Sequence, residues 1–178
     1  MAIYLLYSLG TLIFGLLGLL VWKGFATNRT FSQKAATSRA SIIYYVVLFS
    51  VALPMLYLFF AELVIVELQL SDAFYLIMVI SLLGQFICTL FPEKGGTVVA
   101  HRLFTGISGT LLLPMLVMIA LSPRATLLVS WAAILSVAIM SALLVVGLMN
   151  QSGHRYALWL QVGYYTLFFI PLLLIIWA

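Results

Sequence analysis

Long apolar stretches separated by short polar ones run along the whole chain. Six apolar runs cover residues 3–22, 42–66, 73–91, 103–122, 126–148 and 156–177. Each approaches or exceeds the roughly 20 residues that an α-helix needs to cross a bilayer. The alternation of period two that marks a membrane β-barrel is absent. The pattern therefore predicts an all-α integral membrane protein, in which residues 1–178 form a single bundle of six transmembrane helices.

The second apolar run and the segment before it leave two points open. The run could extend to Leu70, broken only by Glu62 and Glu67. One long tilted helix with its outer end in water is the simplest interpretation, because two crossings would need far more residues. The preceding segment, 23–41, is polar, basic and rich in Ser, Thr and Ala. It could form a short interfacial helix or remain mobile.

The composition excludes an ordinary soluble fold. Hydrophobic residues make up 66% of the chain and charged residues only 7%, whereas soluble domains are about half apolar and a quarter charged. The polar surface is too small to cover that much apolar surface in water. The single cysteine, Cys88, excludes a disulfide within the chain and a cysteine-rich metal site.

Basic residues are concentrated on one side of the predicted bundle. The segments 23–41, 92–102 and 149–155 fall on that side, and only Arg124 falls on the other. The positive-inside rule therefore predicts that these three loops are cytoplasmic and that both termini are not. The basic side holds seven of the eight basic residues, namely Lys23, Arg29, Lys34, Arg39, Lys94, Arg102 and Arg155.

The loop after the third run carries one candidate polar cluster. Glu93 is the only acidic residue on the basic side, and His101 and Arg102 follow at the start of the next helix. These three residues could form a group at the inner interface that binds a lipid headgroup or carries a proton. The alternative is an ordinary turn whose charges lie in water.

The same loop carries a family resemblance. Phe91-Pro92-Glu93, with His101 opening the next helix, resembles an uncharacterised prokaryotic six-helix membrane family, distantly similar to the DRAM-like (damage-regulated autophagy modulator) proteins. The family motif has Asp where this chain has Glu93. Gly153, His154, Arg155 and Trp159 fit the last helix of that family loosely. The resemblance implies a six-helix bundle and no settled activity.

Three further polar residues lie inside apolar runs. Glu62 is a candidate intramembrane carboxylate, because a charge in hydrocarbon is costly and functional when it is present. An interfacial carboxylate that reaches water is the alternative. Gln85 and Gln161 are candidate bundle-interior amides, which would hydrogen-bond between helices or line a pore.

The histidines give little support for a cofactor or a metal. His101 and His154 both fall at cytoplasmic helix starts, where they could ligate a haem or, with Glu93, a catalytic zinc ion. Unliganded interfacial histidines are far commoner, so no cofactor, metal or catalytic residue is expected. Phosphate loops, dinucleotide fingerprints and His-Glu-x-x-His are absent from the sequence.

These features favour a non-enzymatic multi-pass protein, either an accessory subunit of a membrane complex or a lipid-binding module. A small transporter or channel is the first alternative, and an intramembrane lipid-modifying enzyme is the second. The expected partners are membrane lipids, and other membrane subunits or further copies of the chain are compatible with the pattern. Nucleic acid is not expected, because the basic residues follow the orientation pattern of a membrane protein.

Overall fold

The computed structural model describes residues 2–149 and 155–177. The model is 86% helical and has no strand in the part that it describes. Six of its helical spans are long and apolar enough to cross a membrane, which confirms the predicted all-α six-helix bundle. In chain order the helices are α1 (Ala2–Lys23), α2 (Phe31–Ala35), α3 (Arg39–Phe59), α4 (Ile65–Leu68), α5 (Asp72–Leu90), α6 (Val98–Ala120), α7 (Leu127–Met149) and α8 (Ala157–Trp177).

The second span is one long helix with a π-helical turn. A span of 30 residues runs from Arg39 to Leu68, with the π turn Phe60–Val64 joining α3 to α4. Leu56, Phe60, Val64 and Leu68 are all buried in the core. Side chains spaced four residues apart rotate gradually around an α-helix, because one turn holds only 3.6 residues. The π turn is wider and offsets this rotation. The turn therefore helps to keep all four side chains on the buried face.

The largest difference from the predicted boundaries is at the start of α6. The apolar run begins at residue 103, whereas the helix begins at Val98 after a 3₁₀ turn at Gly95–Thr97. His101 and Arg102 lower the local hydropathy, but their backbone is helical. His101 is consequently on the helix, one turn in, and is buried against α5.

Helices that are neighbours in the chain pack against each other. The order of contacts is α1 on α3, α3 on α5, α5 on α6, α6 on α7 and α7 on α8. One apolar core lies towards the loop between α4 and α5 and includes Phe60, Phe74 and Ile119. A second apolar core joins α1, α2 and α3 and includes Leu19 and Phe31.

We call the two ends of the bundle the basic end and the acidic end. The basic end holds the segment between α1 and α3, the loop between α5 and α6 and the start of α8. The acidic end holds Glu62, Glu67 and Asp72, together with Arg124. The basic residues therefore collect at one end of the structure, as the sequence predicts.

Helices α5 and α6 are in close contact at Gly84. A Cβ atom at residue 84 would lie 3.3 Å from the Ser108 Cβ and 3.4 Å from the Phe104 carbonyl oxygen. The carbonyl belongs to the backbone of α6 and cannot move without the helix. Gly84 therefore allows the two backbones to come close, as small residues do between membrane helices.

Replacing Gly84 by Leu is expected to separate α5 from α6 and to lower the free energy of unfolding by about 1–3 kcal/mol, the usual cost of overpacking. Gly106→Leu is the matched control on α6, because residue 106 is exposed and a Cβ there would meet nothing within 4 Å. Thermal unfolding in detergent micelles measures both variants. Equal stability of the Gly84→Leu variant and the wild type would contradict the close contact.

Candidate functional site

The short helix α2 begins with a local signal that is readable in the sequence. Thr30 is the N-cap of α2, and the Thr30 hydroxyl accepts a hydrogen bond from the Gln33 backbone N–H at 3.2 Å. The Gln33 side-chain oxygen accepts in turn from the Thr30 backbone N–H at 3.1 Å. This reciprocal pair is a capping box, and the Thr-x-x-Gln spacing indicates a helix start. The segment 23–41 therefore contains a short helix, which was one of its two predicted alternatives.

The carboxylate of Glu93 joins α2 to the loop between α5 and α6. Ser32 donates its hydroxyl to Glu93 Oε2 at 2.8 Å, and Thr30 does so at 3.3 Å. The side-chain amide nitrogen of Gln33 donates to the other carboxylate oxygen, Oε1, at 3.2 Å. The Glu93 side chain is only 11% exposed. Both of its oxygens therefore accept from side chains that are 60 to 63 residues away in the chain.

His101 and Arg102 approach the same carboxylate from α6. Arg102 Nε lies 3.6 Å from Glu93 Oε1, with the arginine side chain 65% exposed. His101 Nε2 lies 3.9 Å from Oε2, which is too far for a hydrogen bond. The structure thus brings together the three predicted residues Glu93, His101 and Arg102. We call these three, with Thr30, Ser32 and Gln33, the Glu93 cluster.

The hydrogen bonds of His101 determine which ring nitrogen carries the proton. Nδ1 lies 2.9 Å from the carbonyl oxygen of Cys88 and 2.8 Å from that of Phe91. Carbonyl oxygens only accept, so Nδ1 must donate. The neutral ring therefore has its lone pair on Nε2, on the side of Glu93. His101 also satisfies two carbonyls at the end of α5, which lack helical partners.

Lys34 is a buried cation beside the Glu93 cluster. Its side chain is on α2 with 2% exposure, and its Nζ donates to the Gly24 carbonyl oxygen at 2.6 Å. Burial lowers the pKa of Lys34, and the positive charge of Arg29 lowers it further. The carbonyl lies just beyond the C-terminus of α1, where a positive charge is favourable.

A row of buried polar groups runs between α5 and α6 from His101 into the bundle. Gln85 is at its centre, and its side-chain oxygen accepts from the Ser108 hydroxyl at 3.2 Å and from Tyr165 on α8 at 3.0 Å. Ser81 donates to the Ser108 carbonyl at 3.0 Å. Gln85 is therefore a bundle-interior amide, as predicted. We call His101, Cys88, Gln85, Ser108 and Ser81 the polar seam.

The polar seam does not cross the bundle. His101 and Ser108 are seven residues apart on α6, about 10 Å along the axis at 1.5 Å per residue. This length is about a third of the 30 Å hydrocarbon core. Met78, Leu112 and Met115 follow in the direction of the acidic end, and all three are buried in the apolar core.

Gln161 and Glu62 are placed differently from the bundle-interior hypotheses. Gln161 is one turn into α8 and half-buried, and its side-chain oxygen accepts from the Phe31 N–H at the start of α2, at 3.0 Å. It therefore lies near the basic end rather than deep in the interior. Glu62 is exposed on the outer surface of the π turn.

The depth of Glu62 follows from the register of α3 against α5. The hydroxyls of Tyr57 and Tyr75 are 3.1 Å apart, so these two residues are at one level. Because the helices run in opposite directions, residue 62 lies near the level of residue 70, in the loop that precedes Asp72. This register favours the interfacial alternative, a carboxylate that reaches water at the acidic end.

A small cavity adjoins the Glu93 cluster. Its lining includes Ser32, Tyr45, Cys88, Thr89 and His101. The volume of the cavity that the centre of a water molecule can occupy is about 10 Å³. This volume is near the minimum that holds one water. The cavity is therefore too small for a headgroup or a haem. His154, the second histidine of the haem hypothesis, lies outside the described residues.

Comparison with protein-family models, with curated proteins and with solved structures finds no match to this chain. The resemblance to the six-helix family with the Phe-Pro-acid element thus stays a prediction.

The sequence did not indicate the partners of Glu93. Thr30, Ser32 and Gln33 could have been suspected from the capping box, which predicts where α2 begins. Nothing in the local sequence relates that helix to a loop 60 residues later. Tyr165 is a similar case, because a tyrosine in an apolar helix gives no sign that its hydroxyl reaches Gln85.

Replacing Glu93 by Ala is expected to release α2 from the loop between α5 and α6. Hydrogen bonds to a charged group contribute about 1.5–3 kcal/mol each, so loss of even one should speed local opening about tenfold. Hydrogen exchange of the Lys34 and Ala36 backbone amides, which bond within the α2 turn, measures that opening.

Arg102→Gln is the matched control, because an exposed ion pair contributes only about 0–1 kcal/mol. Its α2 amides should exchange nearly as slowly as those of the wild type. If Arg102→Gln opened α2 as much as Glu93→Ala, the hydrogen bonds from Thr30, Ser32 and Gln33 would not be what holds the helix.

Proposed function

We propose that this chain is a non-enzymatic multi-pass membrane protein, acting as a lipid-binding module or as an accessory subunit of a membrane complex. The observation that carries the proposal is that both oxygens of Glu93 are engaged within the chain. The two oxygens of this carboxylate accept from three side chains of the same chain. A catalytic acid or base would need a free oxygen facing a substrate.

The surroundings of His101 support the same conclusion. Its Nδ1 is used by two backbone carbonyls, and the adjoining cavity has room for about one water. Cys88 shares that cavity, but its Sγ lies 3.1 Å from the Gln85 carbonyl oxygen as a hydrogen-bond donor. A lipid-modifying enzyme would need space for a headgroup beside these groups.

The polar seam argues against transport by a single copy of the chain. A substrate path needs polar groups or water across the hydrocarbon, and the seam ends at Ser81 and Ser108. Apolar side chains of the core lie beyond it. The groups of the seam bond to one another between helices, which is the usual role of buried polar residues in membrane bundles.

The outer surface is suited to lipids or to other membrane helices. Many large apolar side chains on the long helices are exposed, among them Phe14, Leu76, Ile107 and Leu135. In a bilayer these side chains contact acyl chains or the transmembrane helices of a partner. A surface of this kind is what a lipid-binding module and a complex subunit have in common.

Transport remains the second candidate, because Gln85 is buried at the centre of a polar seam that starts near the bundle end. A conformational change that opened the apolar layer would expose this amide to both sides. The transporter hypothesis therefore depends on Gln85 and not on Glu62, whose side chain is on the outside.

We infer from the positive-inside rule that the basic end is cytoplasmic and both termini are not. Single cysteines at Arg29 and Arg124, introduced separately into a Cys88→Ser background, test this orientation. Cys88 is only 2% exposed, so its replacement changes little of the accessible surface. An impermeant thiol reagent added to intact cells should label position 124 and leave position 29 unlabelled. The opposite pattern would reverse the orientation.

Gentle extraction from the native membrane with its surrounding lipid, followed by identification of what co-purifies, tests the function. The proposal expects lipids, or membrane proteins in fixed ratio, with no turnover of lipid. Reconstituted liposomes supply the second arm, in which no solute flux above protein-free vesicles is expected. Flux that disappears in Gln85→Leu, with the fold intact, would make the chain a transporter and overturn the proposal.

A further inference from the structure

The fold brings together two segments of the basic end, each of which carries an arginine. Arg29 is on the segment between α1 and α2, and Arg155 comes just before α8. The Leu158 N–H donates to the Thr27 carbonyl at 3.1 Å, which fixes the first turn of α8 against that segment. The nearby Phe31 N–H donates to Gln161 on the same helix. These two hydrogen bonds therefore join the segment that carries Arg29 to the helix that Arg155 precedes.

Neither arginine has a carboxylate partner among the described residues. The ion pairs found there join Glu93 to His101 and to Arg102. Glu93 is the only acidic residue at the basic end, and its oxygens are already occupied within the Glu93 cluster. The three other acidic residues are at the acidic end, about 30 Å away across the hydrocarbon core. The charges of Arg29 and Arg155 are thus uncompensated.

A second feature suits this surface to the lipid headgroup region. Phe25, Tyr156 and Trp159 are all exposed near the two arginines in the chain. The guanidinium group of Arg155 lies over the ring of Tyr156, with its Cζ 5.7 Å from the ring centroid. Exposed Trp and Tyr side chains are enriched at the level of the headgroups. The exposed aromatic side chains therefore favour a position of these two segments at the level of the headgroups, where lipid phosphates lie.

Building on the lipid-binding function proposed above, we propose that Arg29 and Arg155 bind the phosphate of an anionic phospholipid headgroup at the basic end. A guanidinium donates two parallel hydrogen bonds to phosphate oxygens, which an ammonium cannot do. Two guanidinium groups with no competing carboxylate prefer an anionic lipid over a zwitterionic one, because the choline group of the latter is repelled. The acyl chains then lie along the exposed aromatic side chains.

The buried Lys34 strengthens this surface. The positive charge of Arg29 is near the Lys34 ammonium group and is one of the two causes of the lowered pKa of Lys34. Because Lys34 is held on the Gly24 carbonyl, it adds positive potential without being able to reach the lipid. An anion in front of Arg29 would relieve the repulsion between the two cations.

Binding of phosphatidylglycerol to the purified full chain in detergent, counted by native mass spectrometry, tests the proposal, with phosphatidylcholine as the zwitterionic comparison. Each basic side chain near anionic lipid contributes about fivefold in affinity. Arg29→Gln and Arg155→Gln should each weaken phosphatidylglycerol binding by about that factor, and the double variant by about thirtyfold. Arg124→Gln is the matched control, an exposed arginine at the acidic end, and should change affinity less than twofold.

Equal loss in Arg124→Gln, or no loss in the double variant, would overturn the assignment of the site. Displacement of the lipid by inorganic phosphate at equal concentration would also overturn it, since the site would then be one for free anions. If the wild type bound both lipids equally and still co-purified with a membrane protein, this inference would fail while the proposed function stood. Enzymatic turnover of the bound lipid would instead refute the proposed function.

Discussion

The hydrogen bonds to Glu93 organise the whole basic end of the bundle. One carboxylate accepts from the first turn of α2 and also lies beside His101 and Arg102 of α6. A carboxylate that is 11% exposed is costly unless its lone pairs are used, and here the side chains of Thr30, Ser32 and Gln33 use them. The position of α2 follows from this interaction, and α2 in turn carries Lys34 and directs the preceding loop towards α8.

The second constraint is the hydrocarbon solvent itself. Polar groups inside a membrane bundle have no water to bond with, so they bond to each other. Gln85 shows the result, because its side-chain oxygen accepts from both α6 and α8. These hydrogen bonds join α5 to α6 and to α8. The same constraint accounts for the short polar seam, since each further polar group would need another partner.

These two constraints affect the acidic residue and the arginines of the basic end differently. The single acidic residue is turned inward, and arginines of the surface are left without an anionic partner in the described part of the chain. A membrane supplies such a partner in the form of lipid phosphates. The proposed lipid role thus depends on how the chain uses Glu93 as much as on the number of its basic residues.

Much of this structure was predictable from local patterns. The length and apolarity of the six runs determined the number and type of the long spans, because a segment in lipid must satisfy its backbone polar groups within itself, as a helix does. The distribution of basic residues determined which loops share an end. The Thr30-x-x-Gln33 capping box is a further local pattern, which marks the start of α2.

Only the tertiary structure decided which polar side chains meet. Glu93 and Ser32 are 61 residues apart, and Gln85 and Tyr165 are 80 apart; no spacing along the chain relates them. The structure also decided that Glu62 is on the outside and Gln161 at the basic end. Hydropathy measures how apolar a segment is, and it holds no information on the rotation of each helix. That rotation is determined by packing between helices, as at Gly84 against Ser108, and this depends on the shapes of both partners at once.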